Sequence, residues 1–185
     1  MNHTGTGTTA VALSGVSKNY FSHGNTYPAL TDIELSIAHG TMVLLLGPSG
    51  SGKTTLLTIA AGFVEPTAGR VELFGRMLDG YAPRDLQKLR AEKIGFVFQT
   101  FLLIEALTVA ENVDLQLRFA GMRNAAVRDR TMDALARVGI AHLANKRPLE
   151  LSHGEQQRIA IARALAVDAD LLIADEPTAS LGTEQ

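Results

Sequence analysis

The sequence predicts an α/β fold with a mostly parallel core sheet. TMVLLL, from Thr41, is apolar on both faces, as a strand of a covered parallel sheet is, and a glycine-rich turn and a helix-forming run follow it. IGFVFQ, from Ile94, and DLLIADE, from Asp170, are two further short apolar segments of strand length. Helix-forming segments lie between these strands, which is the pattern of the α/β class.

Composition limits the class of protein. At 185 residues the chain can form one domain, or one domain with a small inserted subdomain. Its 46% hydrophobic and 19% charged residues are typical of a globular protein. A net charge of −2 gives no basic field, so we expect no nucleic-acid partner. No apolar stretch approaches the roughly 20 residues of a membrane-spanning helix.

Two features of the sequence bear on where in the cell the protein is located. MNHTGTGTTA lacks the basic and apolar regions of a secretory signal, so we expect residues 1–10 to be a flexible lead-in. There is no cysteine, which excludes disulfides and thiol catalysis and fits a cytoplasmic location.

The first half of the chain predicts strands and two helices. VALSGVS, from Val11, is rich in strand formers, and DIELSI, from Asp32, alternates apolar and polar residues as a half-buried strand does. A helix follows the glycine-rich turn after TMVLLL. GRVELFG, residues 69–75, predicts a strand and a turn, and Pro83 suits the first position of another helix.

A block of helices is predicted between IGFVFQ and DLLIADE. Thr108 and Glu111 form a capping box at the start of the first helix, whose apolar face carries Val109, Val113 and Leu117. A second helix runs over about 125–138 and ends at Gly139. A third follows LSHGEQQR, residues 151–158. We interpret residues of about 100–167 as an inserted helical subdomain.

The glycine-rich turn is a phosphate-binding motif. Gly47, Gly52, Lys53 and Thr54 satisfy the pattern G-x-x-x-x-G-K-[ST], between a predicted strand and a helix, as the motif requires. Its backbone N–H groups can surround phosphate oxygens, the lysine can reach the β- and γ-phosphates, and Thr54 can ligate Mg²⁺. The predicted nucleotide-binding residues here are Gly47, Pro48, Ser49, Gly50, Ser51, Gly52, Lys53, Thr54 and Thr55.

Two consecutive acids follow the last predicted strand. Asp175 lies at the carboxyl end of LLIA, the end that faces the ligand crevice of an open α/β sheet. Asp175 can hold Mg²⁺ through water, and Glu176 can orient the water that attacks the γ-phosphate. With a phosphate-binding loop in the same chain, this pair favours nucleotide hydrolysis over a solvated acidic turn.

The segment LSHGEQQR has two interpretations. Ser152 and Glu155 form a capping box, which is sufficient reason for their spacing at a helix start. The amino end of a helix is also a surface that binds anions. The local pattern alone leaves both interpretations open.

Four motifs, in order and at the approximate spacing, resemble the ATP-binding subunits of ABC transporters: GPSGSGKTT, Gln99 after IGFVF, LSHGEQQR and LLIADEPT. The similarity runs from about Val11 to the last residue. VFQTFLLIEALTVAENV and LSHGEQQRIAIARAL look closest to the subunits that drive lipoprotein release, macrolide export and heterocyst glycolipid export. The resemblance implies a P-loop NTPase fold over 11–185, with an amino-terminal antiparallel β subdomain, the parallel core and the helical subdomain.

The resemblance also implies roles for individual residues. Tyr20 would stack on adenine, Gln99 would sense Mg²⁺ and water, and Glu176 would be the catalytic carboxylate. The predicted catalytic residues are Glu176, Lys53 and Gln99. The predicted metal-binding residues are Thr54, Gln99 and Asp175. The signature segment of Ser152, His153, Gly154 and Glu155 would cap the γ-phosphate bound by an opposing copy, so that two chains close around two ATP molecules.

Two features depart from the family pattern. His153 stands where the family has glycine; the imidazole could donate a hydrogen bond to phosphate or be a tolerated exposed side chain, and we expect His153→Gly to keep activity. Gly182 stands where the family has an acid, and the later strand with its terminal histidine is absent, so we expect a carboxyl-terminally truncated sequence whose ATP turnover is impaired.

The function implied is an ATPase at the cytoplasmic face of the membrane. It would be peripheral, docked on an integral permease through Gln99 and the surface around 101–107, and would power export of a lipid, lipoprotein, peptide or drug. The alternatives are an ATP-driven regulator of a cell-envelope or division complex, and a remnant that only binds ATP. A kinase with the same loop is a weaker alternative, because no acceptor-binding lid is recognisable.

Overall fold

The computed structural model describes residues 9–177, which divide after Leu86 into two compact units. The predicted departure from the family pattern at Gly182 lies outside the described residues. The first strand begins at Thr9, two residues before the predicted Val11. Thr9 pairs with Ala38 and Ala10 is buried, so these two residues belong to the sheet and not to a flexible lead-in.

The amino-terminal unit contains an antiparallel sheet. Its strands are β1 (Thr9–Ser22), β2 (Asn25–Ala38), β3 (Ala68–Leu73) and β4 (Arg76–Met77), in the order β2-β1-β3-β4. The helix α1 (Lys53–Ala60) follows the phosphate loop, and α2 (Pro83–Lys93) begins at the predicted proline. Leu13, Val16 and Leu73 of the sheet are buried, as is Ile59 of α1.

The predicted strand TMVLLL is wrong for the described structure. Residues 41–48 form no strand, and their side chains are exposed. A strand that is apolar on both faces needs a paired strand at its edge and cover on its faces. Among residues 9–177 no strand pairs with this segment. Met42, Leu44 and Leu46 are consequently among its exposed large apolar side chains.

The second unit contains two parallel strands, β5 (Ile94–Val97) and β6 (Leu171–Ala174), in register from Ile94 opposite Leu171. All of β5 is buried. The prediction that LLIA is a buried strand is only partly correct, because Ile173 is buried while Leu172 is exposed. The parallel part of the fold therefore has two strands in the described residues, against three predicted.

Three helices lie between these strands in sequence: α3 (Val109–Phe119), α4 (Ala125–Arg137) and α5 (His153–Leu165). They share one apolar core, formed mainly by Val109, Val113, Leu117, Val127, Ala134, Leu135, Ile159 and Ala162. The capping boxes predicted at Thr108 and Ser152 are both present. Gly139 follows Val138, the C-cap residue of α4, and has φ 76°, as a glycine that terminates a helix does.

The helix α5 also packs against β5. A Cβ at Gly95 would lie 2.5 Å from the carbonyl oxygen of Ala164, so only glycine allows this approach. Val97, Phe101, Ala160 and Ala164 form a second small core beside the first. Through these contacts α5 sits directly beside the segment that follows β5.

Candidate nucleotide site

The side chain of Lys53 is hydrogen-bonded to the backbone of the phosphate loop. The Lys53 Nζ donates hydrogen bonds of 2.9 Å to the carbonyl oxygens of Gly47 and Pro48, and the N–H of Ser51 donates to the Pro48 oxygen over 3.3 Å. Residues 47–51 are all exposed. The ammonium group therefore sits within the loop, on backbone carbonyls that a phosphate could replace as its partner.

Two glycines give the loop its turn. Gly50 and Gly52 have φ 78° and 89°, which an L side chain adopts only with strain. At Gly52 a Cβ would also lie 2.5 Å from the carbonyl oxygen of Ala29, on β2. Gly52 is the N-cap residue of α1, so the first-turn N–H groups of α1 begin at the loop.

Tyr20 lies on the same unit, in β1 directly opposite Tyr27 of β2. Its ring is partly exposed, and the Lys18 Nζ lies 5.3 Å from the ring centroid. An exposed aromatic face on a sheet is available for stacking.

In the second unit, Gln99 and Glu176 meet. The Gln99 Nε2 donates to the Glu176 Oε2 over 3.0 Å, although the two residues are 77 apart in sequence. Each follows the carboxyl end of one of the paired strands β5 and β6. Both side chains are exposed, and Glu176 has φ 49°, a conformation that costs a non-glycine residue about 1–2 kcal/mol. Strained residues of this kind cluster at functional sites.

Asp175 is placed differently from its neighbour. Only 4% of it is exposed, and its N–H donates to the Val97 carbonyl over 2.9 Å, which extends the pairing of β5 and β6 by one residue. The two consecutive acids are thus separated by environment: Asp175 is buried at the strand end, while the Glu176 carboxylate faces solvent and Gln99.

At the start of α5 the capping box uses the serine hydroxyl. Ser152 Oγ donates to Glu155 Oε2 over 2.7 Å and accepts from the Glu155 N–H over 3.3 Å. The same carboxylate accepts from the Ser152 N–H over 2.8 Å, and these bonds lower the pKa of Glu155. His153 and Gly154 are the first two residues of α5, so their amides have no acceptor within the helix and are the groups that an anion could use.

Some residues of this region were missed in the sequence. Arg163 donates to the carbonyl oxygens of Leu102 over 2.8 Å and Phe101 over 2.6 Å, and burial lowers the pKa of its guanidinium. Asn112 is buried and bonds both backbone groups of Ile104, at 2.8 and 3.1 Å. The position of Arg163 as the one arginine within the apolar run IAIARALA was a signal that could have identified it. No feature of the sequence around Asn112 indicated its role.

A family model described as ABC transporter matches residues 30–179, which is most of the chain. The chain belongs to the ABC transporter family. It is a nucleotide-binding ABC ATPase domain, and the predicted α/β ABC ATPase fold is confirmed. Among residues 9–177, no helix of this domain has both the length and the apolar character needed to cross a membrane.

Individual relatives agree with this. The domain is 41% identical to the ABC transporter ATP-binding protein YtrE of Bacillus subtilis, over 86% of this chain and 69% of YtrE. It is 41% identical to the macrolide export ATP-binding/permease protein MacB of Rhodopseudomonas palustris, over 94% of this chain and 27% of MacB. The ABC domain spans about half the length of several other curated relatives.

A solved structure shows the same fold. It is a dimeric, post-hydrolysis state of the ATP-binding cassette MJ0796 bound to ADP and phosphate, and it matches with a TM-score of 0.88 and 40% identity. The match covers 94% of this chain and 76% of the cassette. The ABC ATPase domain described here therefore shares both fold and sequence with a cassette captured after hydrolysis.

Proposed function

We propose that this chain hydrolyses ATP at a site made by two copies and that it powers a membrane permease. The observation that carries the proposal is the hydrogen bond between Gln99 and Glu176. It joins the residues that follow the two parallel strands, at the sheet end where α/β proteins bind ligands.

Glu176 is proposed as the catalytic carboxylate. Its exposed carboxylate can orient a water and accept its proton as the water attacks the γ-phosphorus, while the bond from the γ-phosphorus to the β-phosphate oxygen breaks to give ADP and phosphate. Gln99 holds the carboxylate through its amide N–H. Lys53, once released from the loop carbonyls, would pair with the β- and γ-phosphates, and Tyr20 would stack on the adenine.

The donor atoms fit Mg²⁺. Thr54 offers a hydroxyl, Asp175 a carboxylate and Gln99 its amide oxygen, since the amide nitrogen already donates to Glu176. These are the hard oxygen ligands that Mg²⁺ prefers, with water in the remaining positions. When bound, the ion would neutralise charge on the phosphate oxygens.

The second copy is proposed to supply the start of α5. The amides of His153 and Gly154 would bind the γ-phosphate held by the opposing loop, with Ser152 and Glu155 maintaining the helix end. The dimeric state of the similar cassette MJ0796 supports this arrangement. The capping box and the phosphate surface are therefore compatible, because they use different groups of the same turn.

Glu176→Gln tests the catalytic role. We expect this variant to bind ATP, to lose more than about 100-fold in phosphate release, and to accumulate as a dimer in X-ray scattering with ATP. Glu92→Gln is the matched control, since Glu92 forms a surface ion pair with Lys88 one turn away on α2. Hydrolysis by Glu176→Gln at the rate of the control would contradict the assignment, and monomers under all nucleotide conditions would contradict the shared site.

The permease is proposed to dock beside Gln99 at the cytoplasmic face of the membrane. In the segment 101–107, Leu102 and Ile104 are exposed and suited to such a contact. Phe101 is 7% exposed, so it supports the surface from below. The export function named for the similar protein MacB favours export as the direction.

Copurification from membranes, with mass spectrometry of the partner, tests the docking. We expect an integral permease to be recovered with the wild-type chain and lost with the double variant Leu102→Asp and Ile104→Asp. Equal recovery of the permease with both chains would show that Leu102 and Ile104 are not part of the docking surface. Recovery of an envelope enzyme or division protein instead would favour the regulatory alternative.

A further inference from the structure

The loop that carries Gln99 is held by α5 at two points. After β5 the chain turns through Phe101 and Leu102, which have φ 58° and 47°. Arg163, near the carboxyl end of α5, donates to the carbonyl oxygens of both residues. At the amino end of α5, the His153 ring lies 4.7 Å from the Phe101 ring, centroid to centroid, at an interplanar angle of 52°.

These contacts leave the loop little freedom. Phe101 is buried with Val97, Ala160 and Ala164, so its ring cannot follow a movement of the loop without leaving that core. The strained backbone at Phe101 and Leu102 persists because its carbonyls are bonded and its ring is packed. Gln99 is two residues from Phe101, and Gln99 holds the Glu176 carboxylate.

His153 is the exposed member of this chain of contacts. One side of its ring lies against Phe101, and the residue is otherwise at the surface, in the first turn of α5. That turn is where the opposing nucleotide is proposed to bind. A glycine at this position would provide the same backbone amide but no ring contact.

We propose that His153 is a positioning residue that connects the amino end of α5, through Phe101, to the loop carrying Gln99. The inference rests on the proposed function for its consequence in catalysis. A nucleotide bound at the turn would fix His153, the His153 ring would hold Phe101, and Gln99 would keep Glu176 oriented. The role requires an aromatic ring and does not require the imidazole N–H.

Four variants separate the ring from the hydrogen-bond donor. His153→Ala and His153→Gly remove both, His153→Gln keeps a donor without a ring, and His153→Phe keeps a ring without a donor. An aromatic contact of this kind corresponds to about a two- to tenfold effect. We expect kcat to fall by that factor in the first three with KM for ATP little changed, and His153→Phe to recover most of the loss. For His153→Gly this replaces the expectation from the sequence that activity is kept, because the sequence did not show the ring contact with Phe101.

Amide hydrogen exchange provides a readout that does not depend on hydrolysis. The N–H of Phe101 bonds the Phe98 carbonyl over 3.0 Å, and that of Leu102 bonds the Thr100 carbonyl over 2.6 Å. We expect these two amides to exchange about two- to tenfold faster in His153→Ala than in wild type or His153→Phe. Arg158→Ala removes the hydrogen bond from α5 to the Val138 carbonyl but not the contact with Phe101, so it serves as the control for a general effect on the helix.

The outcomes are distinct. Slower turnover and faster exchange in His153→Ala, both recovered by His153→Phe, support the proposal. If His153→Phe behaves as His153→Ala while His153→Gln behaves as wild type, the donor acts instead and the proposal is wrong; equal behaviour of all variants is also against it. Should the chain not hydrolyse ATP at all, the proposed function fails while the exchange experiment still tests the contact.

Discussion

At the level of single residues, the site shows how one side-chain type at one position decides local structure. The motif requires glycine at Gly52 and allows any residue at Gly50, but it gives no physical reason for the difference. The structure distinguishes them. Both have positive φ, yet a Cβ at Gly50 has nothing within 4 Å, whereas one at Gly52 meets the Ala29 carbonyl at 2.5 Å.

Gly52→Ala and Gly50→Ala should therefore differ. Each alanine carries the conformational cost of about 1–2 kcal/mol, but only Gly52→Ala must also displace β2 or the loop. We expect at least a tenfold greater loss of ATP affinity for Gly52→Ala, measured with a fluorescent nucleotide by titration. Equal losses in the two variants would show that space at Gly52 is not limiting.

Residue types predicted the partners of some side chains and not others. The G-x-x-x-x-G-K-[ST] pattern named Lys53 as a phosphate ligand, and no pattern shows that its Nζ rests on the Gly47 and Pro48 carbonyls. Contacts of this kind depend on the loop geometry, which the motif does not specify. The Gln99–Glu176 bond likewise requires the pairing of β5 with β6 before it can be foreseen.

At the level of helices and strands, prediction succeeded where a local chemical rule operates. Both capping boxes, the proline at the start of α2 and the glycine after α4 are present where the sequence indicated them. Each depends on groups within four or five residues of each other. TMVLLL failed for the opposite reason, because a strand requires a partner strand that its own residues do not specify.

The capping glutamates make the helical unit sensitive to acid. Hydrogen bonds from Thr108 and from Ser152 lower the pKa values of Glu111 and Glu155 in the folded chain. A carboxyl group with a lowered folded pKa stabilises the protein above its unfolded pKa, and that stability is lost as the pH falls through the folded value. The affected range is thus below the ordinary glutamate pKa of about 4.3.

We expect the melting temperature of the wild-type chain to fall between about pH 5 and pH 3 more steeply than that of the double variant Glu111→Gln and Glu155→Gln. The two proteins should differ at pH 7 and converge near pH 3. Glu105→Gln, at an exposed position before α3 and outside both capping boxes, is the control. Parallel melting curves at every pH would contradict the contribution of the caps.

At the level of the whole molecule, the order of motifs predicted the family, and the family predicted the fold. Four short segments, in the order of the family and at about its spacing, were sufficient for this. The two compact units were not foreseen as a division after Leu86. Nothing in the local pattern of α2 marks that boundary, which lies within a continuous helix.

We expect the exposed apolar run 42–46 to promote association of the protein at high concentration. Its five consecutive large apolar residues carry no charge and include no proline, which is the composition of segments that pair between chains into aggregates. A single lysine within such a run acts as a gatekeeper by making stacking of identical strands repulsive.

Leu44→Lys should raise the concentration at which light scattering first increases, and Leu149→Lys should not. Both leucines are largely exposed, at 79% and 72%, but Leu149 stands alone in a short turn. If both lysines delay the rise in turbidity equally, net charge and not this segment governs solubility. In that case the residues that lead into the phosphate loop would not promote aggregation during expression or storage. The expected result instead makes them the first segment to substitute when aggregation has to be prevented.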